Sequence, residues 1–172
     1  MTHQPDPLPP WKDELDAIAA ARHGGALAQT LPPLRALAAR FPDAAEIHYQ
    51  IAWTHDANDQ SAQAIPHYEK AIALGLANEA LAGAMLGLGS SLRVVGQFER
   101  SERVLRDALE RFPDHNEFNV FLALTLHNLG RHAEALSLAL TTLIDTADDP
   151  GITAYQRALR YYAGELGGEK RG

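Results

Sequence analysis

Residues 82–115 read AGAMLGLGSSLRVVGQFERSERVLRDALERFPDH, a stretch of 34 residues whose pattern recurs along the chain. The marking positions are Leu88-Gly89, Leu92, Gly96, Phe98, Leu105, Ala108 and Pro113. Moved forward by 34, Leu88 falls on Leu122, Leu92 on Leu126, Gly96 on Gly130 and Leu109 on Leu143. Moved back by 71, Gly96 falls on Gly25 and Leu105 on Leu34, while Arg111-Phe112-Pro113-Asp114 falls on Arg40-Phe41-Pro42-Asp43 without a gap. The intervening segment aligns through Ala64-Ile65, Tyr68 and Ala71. The repeats are therefore 11–44, 45–78, 82–115 and 116–149, and residues 79–81 are additional, so the first helix of the third repeat starts early. Repetition at a fixed period of this length marks a helical array, and four copies exceed the three needed to bury a continuous core.

The period and the order of small and large residues resemble the tetratricopeptide repeat (TPR), a helix–turn–helix unit. The resemblance covers 11–149 and implies an all-α, right-handed solenoid of four repeats, like the small stand-alone TPR proteins of bacteria. It also implies a binding scaffold rather than an enzyme, with a protein or peptide ligand in a concave groove lined by the first helix of each repeat.

At 172 residues the chain is long enough for a well-cored domain. The net charge of −7 argues against a nucleic-acid partner, which needs a basic stripe. Arg100, Arg103, Arg106 and Arg111 form such a stripe only until Glu99, Glu102, Asp107 and Glu110 are read with them. Interleaved in this way, they predict a solvated helix face of paired charges. Without cysteine there is neither a disulfide framework nor a thiolate metal site. No apolar stretch approaches the ~20 residues that span a bilayer. Residues 1–10 hold four prolines and no lysine or arginine, so they read as a disordered tail rather than a secretory leader, and a cytoplasmic location is the default.

Local signals divide the array into helices. Gly24-Gly25, Gly75, Gly96 and Gly130 are helix stops. Pro32-Pro33 puts the start of the second helix near Thr30, because proline is tolerated only in a first turn; Pro66 poses a milder version of the same problem. Phe41-Pro42 ends that helix, and Asp43 with Glu46, like Asp114 with Glu117, has capping-box spacing. Asp149-Pro150 opens a last helix over 150–166, ahead of a tail at 167–172. Its stripe Ile152, Tyr155, Leu159, Tyr162, Leu166 is expected to pack on the fourth repeat as a cap, with Gln156 and Arg160 turned away.

Positions 5, 9 and 12 of each repeat lie on one face of its first helix. In TPR proteins that face lines the groove. Position 5 reads Leu15, Tyr49, Leu86, Val120, and position 9 reads Ala19, Trp53, Ser90, Leu124. Position 12 reads Arg22, Asp56, Arg93, His127. An apolar floor with a polar wall suits an amphipathic helix or an extended peptide. Tyr49 and Trp53 are the leading aromatic anchors. Gly83 and Gly87 leave room for something to approach the backbone, and Gly89 matches the position where TPR helices pack closely.

The lysines, asparagines and arginine with which some TPR proteins clamp the C-terminal carboxylate of heat-shock chaperones fall here on Leu15, Ala19, Gln50, Gly83 and Gly87, or on Tyr49, Trp53, Gly87, Glu117 and Phe121. Neither set supplies the donors, so no chaperone-tail clamp is expected. His48 and His55 are seven residues apart, about 10 Å along a helix, too far to share one ion; they read as packed structural histidines. No motif for catalysis, a cofactor or a metal stands out, His127 and Asp56 being the nearest to one. The alternative to ligand binding is self-association, with the groove or the last helix meeting a second copy.

Overall fold

The computed structural model describes residues 8–23 and 29–168. Among them are ten helices and no strand. The helices are α1 (Lys12–His23), α2 (Leu31–Arg40), α3 (Ala45–Asp56), α4 (Ser61–Leu74), α5 (Asn78–Val94), α6 (Phe98–Arg111), α7 (Asn116–Asn128), α8 (His132–Thr146), α9 (Pro150–Ala154) and α10 (Gln156–Gly167). The chain forms two compact units, residues 1–84 and 85–172, divided within α5.

In the N-terminal unit, α1, α2 and α3 close on Leu15, Leu34, Leu37, Ile47 and Ile51, with Trp11, Ile18 and Phe41 around them. Trp11, Leu15 and Ile18 are one helical face, so α1 spends its apolar stripe on this core. The paired prolines sit in the first turn of α2 behind the N-cap Thr30. Pro66, however, lies inside α4 without ending it. Its ring is exposed, and Ala64, Ile65, Tyr68 and Ala71 are buried along the same helix, so packing outweighs one missing hydrogen bond.

The expected capping boxes do not form. The N-caps of α3 and α7 are Ala44 and His115, neither with a side-chain cap. Instead the Ala44 amide donates to the Phe41 carbonyl and the His115 amide to that of Phe112, at 3.2 and 3.1 Å. Pro-Asp occupies the centre of each tight turn, which delays the helix by one residue. The preceding helices end alike, Phe41 at φ −132°, ψ 69° and Phe112 at φ −131°, ψ 66°.

The first helices of successive repeats also stop in one way. Gly96 and Gly130 are left-handed, at φ 79° and 77°. The Gln97 amide reaches the Leu92 carbonyl (2.8 Å) and the Arg131 amide that of Leu126 (2.9 Å), tying off carbonyls the helix leaves open. At the end of α3 the same bond runs from Gln60 to His55 (3.0 Å), but the left-handed residue is Asp59, at φ 57°.

In the C-terminal unit Leu88, Leu92, Leu105, Phe118, Leu122 and Leu126 form the interior. A Cβ on Gly89 would lie 2.7 Å from Leu105, and Ser101 Oγ donates to the Gly89 carbonyl at 2.7 Å, so α5 and α6 touch backbone to side chain. Within the arginine stripe of α6, Arg106 reaches Glu102 and Glu134, which Arg131 ahead of α8 also meets, and Arg111 reaches Asp107. Burial raises the Glu102 carboxyl, but Arg106 and Arg131 outweigh it and hold the group below the ordinary range.

The last helix is two helices. Asp149 caps α9 by accepting from the Ile152 amide at 3.0 Å, and the helix breaks at Tyr155 (φ −106°, ψ 8°) before α10. The face of α10 that meets α8 is one residue on from the expected stripe. Gln156 donates to the Ile144 carbonyl (3.3 Å), Arg160 pairs with Asp145 (2.6 Å), Ser137 donates to the Ala163 carbonyl (2.6 Å), and Gly167 lies over Ser137. Tyr155 and Tyr162 are instead exposed, and Leu159 is half-buried. Ala163 and Gly167 let two helices approach closely; tyrosine rings at the contact would hold them apart.

Candidate functional site

The groove residues drawn from positions 5, 9 and 12 fall into two sets, one in each unit. In the N-terminal unit the set is largely committed to the fold. Leu15 is 2% exposed within the first core, so it is a packing residue and leaves the groove set. The side chain of Arg22 and the stop at Gly24-Gly25 lie outside the described residues. Tyr49 is half-buried, tilted against Tyr68 at 6.3 Å, and its hydroxyl stands where a Cβ on Gly83 would be, 2.3 Å away. What approaches the backbone at Gly83 is therefore this chain's own tyrosine. Asp56 accepts from Ser61 Oγ (3.1 Å) and from the Tyr68 hydroxyl (3.3 Å), joining the end of α3 to α4. Trp53 is half-buried.

The C-terminal set is more open. Leu86 and Ser90 on α5 are half-buried, while Val120 and Leu124, one turn apart on α7, are 48% and 45% exposed. At the polar end Arg93 Nη1 points to Asn128 Oδ1 at 3.4 Å, which brings the ends of α5 and α7 together. His127 is exposed, its Nδ1 3.1 Å from His132 Nδ1. Each unit has a buried side-chain polar atom with no hydrogen-bond partner among the described residues: Gln50 Oε1 and Arg93 Nε. Both residues are on first helices.

The histidines do group, but around a member the sequence did not single out. His67 of α4 stacks between His48 (centroids 5.6 Å) and His55 (6.0 Å) of α3. His48 Nε2 meets the Pro42 carbonyl at 2.9 Å, so that nitrogen carries the proton and Nδ1 accepts from His67 Nδ1 at 3.3 Å. His55 Nδ1 donates to Gln60 Oε1 at 2.7 Å, and Arg35 faces its Nε2 at 3.4 Å. Burial, then the neighbouring His48, His55, Arg35 and Lys70, pushes His67 down to about 4. Burial also lowers His48, the Pro42 carbonyl opposing it. No group of three or more His, Cys, Asp or Glu among the described residues has metal-binding geometry. None of the described helices is long and apolar enough to cross a membrane.

A cleft of about 710 Å³ opens in the N-terminal unit between Trp11, the Phe41–Glu46 turn and Gly75–Asn78, away from positions 5, 9 and 12.

The model of the Tetratrico peptide repeat family matches residues 45–166, most of the chain; the segment 11–44 lies outside the match. No curated protein matches the sequence. Among solved structures the chain resembles YrrB, described as a TPR protein with an unusual peptide-binding site. The TM-score is 0.61 and the identity 16%, over 89% of this chain and 84% of that one. At this identity the likeness speaks for the fold alone.

Proposed function

Since the chain belongs to the tetratricopeptide-repeat family, we propose that it is a non-catalytic scaffold that binds a protein or peptide ligand on the exposed face of its first helices. The observation that carries this reading is the aliphatic pair Val120 and Leu124, open on α7, whose end the Arg93–Asn128 contact brings to the end of α5. An aliphatic row with polar groups at one end suits a short peptide laid across the helices. YrrB's described peptide-binding site is consistent with it. In the N-terminal unit the half-buried Trp53 is a further candidate contact, whereas Leu15 is buried in the first core.

The test is a selection of random phage-displayed peptides on the full chain, followed by affinity measurement against Leu124→Asp. Leu124 is exposed, so the substitution leaves the melting temperature within the range of ordinary surface changes. Loss of peptide binding without loss of stability supports the reading; undiminished binding contradicts it.

A second reading, self-association, is favoured by one observation. Tyr155, Tyr161 and Tyr162 are 68%, 62% and 61% exposed along the last helices, an unusual density of open aromatic surface. Sedimentation of the wild type against Tyr161→Ser/Tyr162→Ser separates the two: a dimer that this change dissolves supports self-association, and a monomer in both removes it.

A further inference from the structure

Several arginines of the C-terminal unit meet carboxylates: Arg106 and Arg131 meet Glu102 and Glu134, Arg111 meets Asp107, and Arg160 meets Asp145. Arg93, on a first helix, does not. Its guanidinium is half-buried at the end of α5, and its contact among the described residues is with the Asn128 amide oxygen at 3.4 Å, long for such a bond. Its Nε is buried and makes no hydrogen bond. A guanidinium cannot shed its charge, and its five donors form a rigid fork that matches a carboxylate. With Nε buried, the remaining donors of this partly exposed guanidinium, at positions aligned with Leu86 on α5, are what an acidic ligand would complement.

Resting on the peptide-binding reading above, we infer that the α5–α7 face takes a peptide carrying an aspartate or glutamate beside an aliphatic residue, the carboxylate pairing with Arg93. With its oxygen turned to Arg93, Asn128 has its amide N–H groups to donate to the same carboxylate. Leu86 stands seven residues before Arg93 and Leu124 four before Asn128, about 10 and 6 Å along their helices. An extended peptide covers that distance in two or three residues, which sets the interval between the acid and its aliphatic neighbour. The positions differ from those of the chaperone-tail clamp, and Arg93 takes a side-chain carboxylate within the peptide.

The experiment uses a peptide selected as above, synthesised with its acidic residue and again with the matching amide (Asp→Asn or Glu→Gln). Both are titrated into the wild type, Arg93→Gln and Arg93→Lys. The selected sequences should carry the acid at the stated interval. The amide peptide should bind the wild type about tenfold or more weakly, the range of a charge-assisted contact. Arg93→Gln should weaken the acidic peptide by a similar factor and leave the amide peptide nearly unaffected, with Arg93→Lys between. Arg93→Gln should also melt no lower than the wild type, which a merely structural arginine would not allow. Peptides that depend on Leu124 but lack an acid, or that lose equally in both forms on Arg93→Gln, overturn the inference and leave the peptide-binding reading standing. Binding indifferent to Leu124→Asp overturns both. If Arg93→Gln does not fold, the acid–amide pair on the wild type and Arg93→Lys decides.

Discussion

At Asp59 a residue with a Cβ adopts φ 57°, where the equivalent stops of the next two repeats use Gly96 and Gly130. Left-handed backbone strains L-residues, and a carboxylate at a helix C-terminus also meets the negative end of the dipole. Asp59→Gly should therefore raise unfolding stability by about 0.5–1 kcal/mol, read from the denaturant midpoint, although glycine gives some of this back in the unfolded chain. A loss would show that the Asp59 side chain has a role the backbone does not reveal. Gly83 gives a sharper contrast, because the obstacle there is one atom. A Cβ meets the Tyr49 hydroxyl at 2.3 Å but the ring carbon behind it at 3.3 Å. Gly83→Ala should destabilise the wild type and should stabilise Tyr49→Phe, by up to about 1 kcal/mol of helix propensity. Equal effects in the two backgrounds would mean that the contact is not the reason for glycine. The glycine stops were legible from their 34-residue recurrence, whereas Asp59 was not, since aspartate more often starts a helix than ends one. Nor could Tyr49 be matched to Gly83, a pairing across helices that no local pattern encodes.

At the scale of elements, α10 shows how little separates two registers of one stripe. The residues 155, 159, 162 and 166 and the residues 156, 160, 163 and 167 share the spacing 4, 3, 4, and hydrophobicity favours the first set. The observed contact is the second, because Ala163 and Gly167 permit an approach that lets Ser137 reach the Ala163 carbonyl. Ala163→Leu should thus cost about 1–3 kcal/mol by overpacking, while Tyr162→Ser, at an exposed site, should stay within about 0.5 kcal/mol. The reverse order in urea melts would restore the tyrosine stripe as the docking face. The helices α2, α3 and α4 carry a second consequence, in the histidine stack. The groups facing it are Arg35 from α2, Asp43 from the preceding turn and Lys70 from α4. His67 is held near 4 against an ordinary 6.5, so between those values the unfolded chain binds more protons than the folded one. Stability is then full above about pH 6.5 and declines as pH falls toward 4. Urea midpoints should follow that course, and His67→Gln should flatten it. An unchanged slope in the variant would place the acid sensitivity elsewhere. The burial of His48 and His55 was legible from their places in the repeat, but His67 was not, because a stack needs the angle between two helices.

For the molecule as a whole, the repeat made the all-helical order readable before any coordinates, and the family match over 45–166 agrees with a repeat of this kind. The candidate site was readable only in part. Positions 5, 9 and 12 name a face of an ideal helix, and that face is open at Val120 and Leu124 but filled at Leu15, where α1 has a core to close. Ligand binding on the first helices is the claim on which the account depends. Its most direct test is a 1H–15N NMR titration of the labelled full chain with a phage-selected peptide. The account predicts that the largest shifts fall at Leu86, Ser90, Arg93, Val120, Leu124 and His127. Largest shifts on α6, α8 or α10, with α5 and α7 unmoved, would contradict it.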